Sequence, residues 1–129
     1  MTPEAAIYDF MNGFGIPAYP SSSVPEQDGP GWQGFPYFTY DLAVGDWTGG
    51  EVNMPVSLYD RTSSEKALND RVRELSHVIG EGGTMLHCDD GVVWLKRGYP
   101  WAQSVSISEE DSEVKRRYIN IDMEFFTTP

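Results

Sequence analysis

The first 60 residues contain no lysine and no arginine. They do carry eight acids (Glu4, Asp9, Glu26, Asp28, Asp41, Asp46, Glu51 and Asp60), so this half stands at −8. All nine basic residues fall in 61–129, beside twelve further acids, and the 129-residue chain has a net charge of −11. A surface this acidic is repelled by a phosphate backbone, which argues against a nucleic-acid binder. On composition alone, solubility is the simplest account of the charge. Cysteine is almost absent. A single Cys88 rules out an intrachain disulfide, a four-cysteine zinc site and a CxxC redox pair, and it suits folding in a reducing cytoplasm. Apolar runs extend only a few residues, too short for a membrane-spanning helix. Met1-Thr2-Pro3-Glu4 lacks a basic and then apolar leader, so no secretory signal is expected. No G-x-x-x-x-G-K-[ST], G-x-G-x-x-G or G-x-S-x-G pattern occurs.

Hydrophobic residues make up 40% and aromatics 13%, enough for one domain with a real core. Thr2 can cap a first helix, with Pro3 at its first position and Glu4 at the positive end of its dipole. Ile7, Phe10, Met11 and Phe14 recur at helical spacing, and Gly13, Gly15 and Pro17 end the run. From about 16 to 34 the chain holds four prolines, three glycines and Ser21–Ser23. That composition predicts a loop without regular structure, and loops this long usually have a function or are disordered.

Residues 35–44 predict an aromatic strand. A turn over 45–50 leads to a second strand, 51–59, where Val52, Met54, Val56 and Leu58 alternate with polar positions. Pro55 within it points to a sheet edge or a bulge. Thr62-Ser63-Ser64-Glu65 matches a T-x-x-E capping box for a helix carrying Leu68, Val72, Leu75 and Ile79 on one stripe. Residues 84–88 and 92–97 predict a hairpin around Asp89-Asp90-Gly91. Gly98-Tyr99-Pro100-Trp101 breaks the run, a strand follows over 104–108, and the last strand alternates through Ile119, Ile121, Met123 and Phe125. The order predicts an α+β fold: a single compact domain, 1–129, with two main helices packed on an antiparallel or mixed sheet.

His87-Cys88-Asp89-Asp90 is the one cluster of candidate ligands or nucleophiles. Adjacent strand residues face opposite ways and the two aspartates suit a turn, so a structural hairpin is the better account. His77 sits near a helix C-terminus, where it serves the dipole. Glu109-Glu110-Asp111-Ser112-Glu113 lacks the spacing of a calcium loop and suits a solvated hairpin tip. Lys115-Arg116-Arg117 beside it are explained by cross-strand charge pairing with that tip. No catalytic, cofactor-binding or metal residue is therefore assigned. Three of four tryptophans, Trp32, Trp47 and Trp101, lie in Gly/Pro-rich connections. Aromatics there are either interface anchors or lids over a small core.

The whole pattern resembles the tail terminator, or tail completion, proteins of long-tailed bacteriophages, the minor capsid type among them. The residues that carry the likeness are a short helix such as Pro3–Phe14 and a Pro-rich link into Phe35-Pro36-Tyr37-Phe38-Thr39-Tyr40. A strand such as Val52–Tyr59 then leads into one central helix, Glu65–Ile79. The basic-then-alternating end, Val114 to Phe125, matches best. The resemblance implies a virion protein of the tail and neck, assembled in the host cytoplasm. It implies a homo-oligomer, a hexameric ring that caps the tail tube, stops its polymerisation and docks to the head's connector or neck protein. It implies no cofactor, no catalysis and no membrane, with DNA passing through unbound. Ring closure needs two different patches on each subunit. Tyr19, Trp32, Trp47 and Trp101 are the candidate subunit or partner contacts, together with an unpaired sheet edge. Asp41, Asp46, Glu51, Glu109, Glu110 and Asp111 are candidates to face the channel or a basic partner. A head-completion adaptor or tail-tube component is the nearest alternative. A small cytosolic ligand-binding or enzymatic domain using His87, Cys88 and Asp90 is an alternative of another class.

Overall fold

The computed structural model describes residues 1–43, 45, 47, 49–105 and 113–127. A first helix, α1 (Pro3–Met11), starts where Thr2 Oγ1 accepts from Ala5 N at 3.1 Å and ends in a 3₁₀ turn, Asn12–Phe14. Six strands follow in one sheet: β1 (Ala18–Pro20), β2 (Tyr37–Tyr40), β3 (Glu51–Arg61), β4 (Thr84–Cys88), β5 (Gly91–Val105) and β6 (Val114–Thr127). The second helix, α2 (Glu65–Ile79), lies between β3 and β4. The spatial order is β1-β2-β3-β6-β5-β4. Among the described strands only β1 and β2 run parallel, so the fold is α+β on a mixed sheet.

Period-two alternation decides which face is covered. Phe38, Tyr40, Met54, Val56, Leu58, Ile119, Ile121, Met123, Val93 and Leu95 point to one side and are buried there. Leu68, Val72, Leu75 and Ile79 of α2 and Ile7 and Met11 of α1 close over them as one core. α1 packs against both β1 and β4, the two edges of the sheet. The sheet therefore curls until one helix bridges its ends.

Several expectations are corrected. The Pro-rich segment does contain regular structure, β1 and a 3₁₀ turn at Ser21–Ser23. The outward N–H of Ala18 donates to Asn12 Oδ1 at 2.9 Å, and Asn12 Nδ2 donates back to the Ala18 carbonyl at 3.2 Å. One side-chain amide thus stands in for a neighbouring strand, and Pro20 has no N–H to offer. β3 is not an edge strand, since β2 and β6 flank it. Pro55 is tolerated because β2 has just ended: Asp41 N donates to the Pro55 carbonyl at 2.9 Å, and no return bond is required.

The helix cap is Ser64, whose Oγ accepts from Ala67 N; Thr62 Oγ1 instead accepts from Ser64 N. The span of α2 is as expected. Gly98 to Trp101 does not end a strand, because β5 runs through it with a bulge between Arg97, opposite Ile121, and Ala102, opposite Ile119. Four strands were expected after α2 and three are found among the described residues. Most of the predicted strand over 104–108 and nearly all of the acidic turn lie outside the described residues.

Candidate assembly surfaces

Among the described residues, no helix covers the second face of the sheet. Its residues come from the same strands, one position along. At the end where β2 begins, β3 ends and β6 begins, Tyr37, Tyr59 and Arg116 lie side by side across three strands. Tyr37 and Tyr59 stack with centroids 5.2 Å apart and planes at 19°. Trp32 turns its edge to Tyr37 at 4.9 Å and to Phe35 at 5.4 Å, so the Pro-rich segment folds back onto this face. Tyr19 meets Tyr37 edge-on at 5.8 Å. The Arg116 guanidinium sits 5.7 Å from the rings of both Tyr59 and Tyr118 and donates to Ser57 Oγ from Nε at 3.1 Å and Nη2 at 2.9 Å. No carboxylate among the described residues pairs with it. Arg116 thus places a cation on an aromatic floor in a chain that is otherwise strongly acidic.

Most of the acidic tip expected to pair with the basic run lies outside the described residues; within them, two of its members meet the start of α2. Arg117 is buried and pairs with Glu65 at the start of α2, with Nε donating to Asn69 Oδ1 at 3.1 Å. Lys115 lies 3.9 Å from the same Glu65. Arg117 beside it holds the Glu65 carboxyl below its usual range.

The opposite end of the sheet is acidic. Asp41 is exposed just past β2, and Glu51 is exposed at the start of β3. Lys96 bridges Glu51 at 2.6 Å and Glu124 at 3.3 Å, and its hydrogen bond lowers the Glu51 pKa. Asp89 and Asp90 form the β4–β5 turn at the same end, with the chain's amino terminus 2.9 Å from Asp89. Asp46, Glu109, Glu110 and Asp111 lie outside the described residues.

The four expected aromatic contacts separate. Trp32 and Tyr19 join the aromatic cluster, and the Tyr19 hydroxyl is buried with no hydrogen-bond partner. Trp47 is 7% exposed, belongs to the core and donates from Nε1 to the Ala43 carbonyl at 2.9 Å. Trp101 is half-buried against the core, beside Val72 and Arg73 of α2, with Nε1 buried and unpartnered. Tyr37, Tyr59, Arg116 and Tyr118 were not foreseen. Their signal was present: three tyrosines occupy the non-core positions of alternating strands, where polar residues are the norm.

His87, Cys88 and Asp90 do not converge on a reactive centre. Cys88 contacts the Gly91 carbonyl at 3.6 Å within its own turn. Burial pushes its thiol up and Asp89 adds to the effect, the reverse of an activated nucleophile. Among the described residues no three His, Cys, Asp or Glu side chains are grouped to hold a metal ion. No helix among the described residues is long and apolar enough to cross a membrane. Comparisons with family models, curated proteins and solved structures give no match to this chain.

Proposed function

We propose that this chain is a structural subunit of a phage virion, one that assembles as a ring at the joint between tail and head, ends tail-tube growth and docks the tail to the neck. The observation that carries this reading is the half-buried aromatic cluster on the face of the sheet away from both helices. A cluster of Trp32, Phe35, Tyr37, Tyr59 and Tyr118 around Arg116 has the composition of a protein–protein contact: aromatic side chains with an arginine set beside their rings. Such a surface suits the tube protein or the head connector as partner.

The acidic end, with Asp41, Glu51, Asp89 and Asp90, suits the rim of a passage that DNA must traverse without adhering, because fixed carboxylates repel phosphates over about one Debye length, ~8–10 Å. The test is to add the purified protein to polymerising tail tubes and measure tube length by electron microscopy. Tubes capped at one end by a ring, with growth arrested, are expected. Unchanged length distributions with no density at either end would overturn the reading.

A further inference from the structure

The two edges of the sheet, β1 and β4, are finished differently. At β1 the chain closes its own edge, with Asn12 on the Ala18 N–H and carbonyl and with Pro20 offering no N–H. Among the described residues β4 has no such cover. Cys88 and Gly91 flank the two-residue turn Asp89-Asp90 as a hydrogen-bonded pair. Leu86 and Thr84 therefore bond to β5, while Met85 and His87 aim their N–H and carbonyl groups away from it. Asp89, next in that outward series, donates its N–H to the Met1 carbonyl at 2.7 Å. The outward groups of Met85 and His87 have no partner among the described residues. They form a template for one more strand.

A groove lies beside that template. Ala6, Asp9 and Phe10 of α1 form one wall and Met85, Leu86 and His87 of β4 the other, around about 350 Å³ of open space. α1 cannot itself satisfy the edge, because a helix bonds its own backbone groups internally. A strand laid along β4 places alternate side chains against Phe10 and Leu86 and the others beside Met85, which is half exposed on the open face. Methionine is unbranched and adapts to the side chain that meets it. Charge then selects the kind of strand. Glu4 and Asp9 of α1 and Asp90 of the turn are exposed, and no lysine or arginine lines the groove among the described residues. A second copy of this chain, at −11, is disfavoured there by the same charge, and its Lys115-Arg116-Arg117 run is held inside β6 between β3 and β5.

We infer that the outer edge of β4 takes an extended segment of a different protein as an added strand, apolar at alternate positions and flanked by lysine or arginine. Main-chain bonds to Met85 and His87 fix its register. The wall at Phe10 and Leu86 selects the apolar residues, and the carboxylates select the basic ends. The site is separate from the aromatic cluster, which is built on β2, β3 and β6, and it does not depend on any role in a tail.

The probe is a blocked synthetic peptide, Lys-Lys-Val-Thr-Val-Thr-Val-Lys-Lys, titrated into the isotope-labelled full chain and followed by amide spectra and hydrogen exchange. In the free chain the Leu86 and Cys88 amides are expected to be protected and those of Met85 and His87 to exchange rapidly. Bound peptide should slow exchange at Met85 and His87 at least about tenfold. The same peptide with glutamate in place of lysine should bind at least about tenfold more weakly. His87→Pro removes one outward N–H and no bond to β5, and should weaken binding about tenfold. Asp9→Lys, at an exposed helix position, leaves the strand untouched and should reverse the preference between the two peptides. No binding at millimolar peptide, equal binding of the lysine and glutamate peptides, or unchanged preference in Asp9→Lys each overturns the inference. So does protection of Met85 and His87 in the free chain that grows with protein concentration, which would assign the edge to a second copy.

Discussion

On the covered face of the sheet, Met54, Val56, Leu58, Ile119, Ile121 and Met123 leave almost nothing to solvent. One residue along in the same strands, Tyr59, Tyr118 and Asp122 remain within its reach. The covered face is held by non-directional burial, so its positions need volume and little else. The open face is held by directed contacts: stacked rings, a cation over two tyrosines, and Lys96 between two carboxylates. The same alternation therefore produces one face filled by burial and one organised by directed aromatic and polar contacts. Ser57 shows how closely the two are joined. It belongs to the open side and is nevertheless 7% exposed, because Arg116 lies over it.

The contrast can be broken most forcefully from the covered side. Ile119→Ala, at a fully buried position, is expected to cost about 2–5 kcal/mol in urea unfolding, with no change confined to assembly. A cost below 1 kcal/mol would mean that the two faces are not distinguished by burial. Arg117→Ala removes a charged side chain buried on the covered face and strips Glu65 and Asn69 of a partner. About 1–3 kcal/mol is expected, limited because Glu65 itself is well exposed and screened.

Tyr59→Ala on the open face should lower stability by only about 1 kcal/mol. On the proposed reading, it should also abolish binding to tail tubes in a sedimentation assay. Normal tube binding by a folded Tyr59→Ala protein would remove the aromatic cluster from the partner surface.

The smallest effect expected is electrostatic. Glu51 and Glu65 both have folded pKa values held below the ordinary 4.5 by Lys96 and Arg117. Their contribution is therefore present above that value and is lost as the pH falls through the lower, folded one. A thermal scan from pH 6 to pH 3 should show a modest decline below about pH 4.5, and Lys96→Met should flatten the part owed to Glu51. A decline of equal size in the variant would assign that part to other carboxylates.

Much of the covered face was legible in the sequence. The stripe Leu68, Val72, Leu75, Ile79 and the alternations in β3 and β6 are local patterns with a single burial solution, and they appear where the periodicity puts them. The failures share a cause. Pro55 suggests an edge, but what makes it acceptable is the termination of a different strand beside it. β1 is unreadable among prolines because Asn12, six residues upstream of Ala18, completes its hydrogen bonding. The 98–101 interruption looks like the end of a strand because nothing nearby in sequence reveals that Asn120 will hold it in the ladder. The cluster around Arg116 is assembled from three strands and a loop, so no local window contains it.

The sequence alone determined the α+β class, the two helices, the buried side of the main strands and the excess of acid in the first 60 residues. Periodicity and composition are properties of a chain segment and survive without tertiary contacts. Only the folded structure decided which acids share an end of the sheet, which tryptophans stay at the surface and which residues form the aromatic floor. It also decided that α1 bridges both sheet edges. Those outcomes depend on strand order and register, which bring together residues dozens of positions apart and are fixed by the packing of the whole domain.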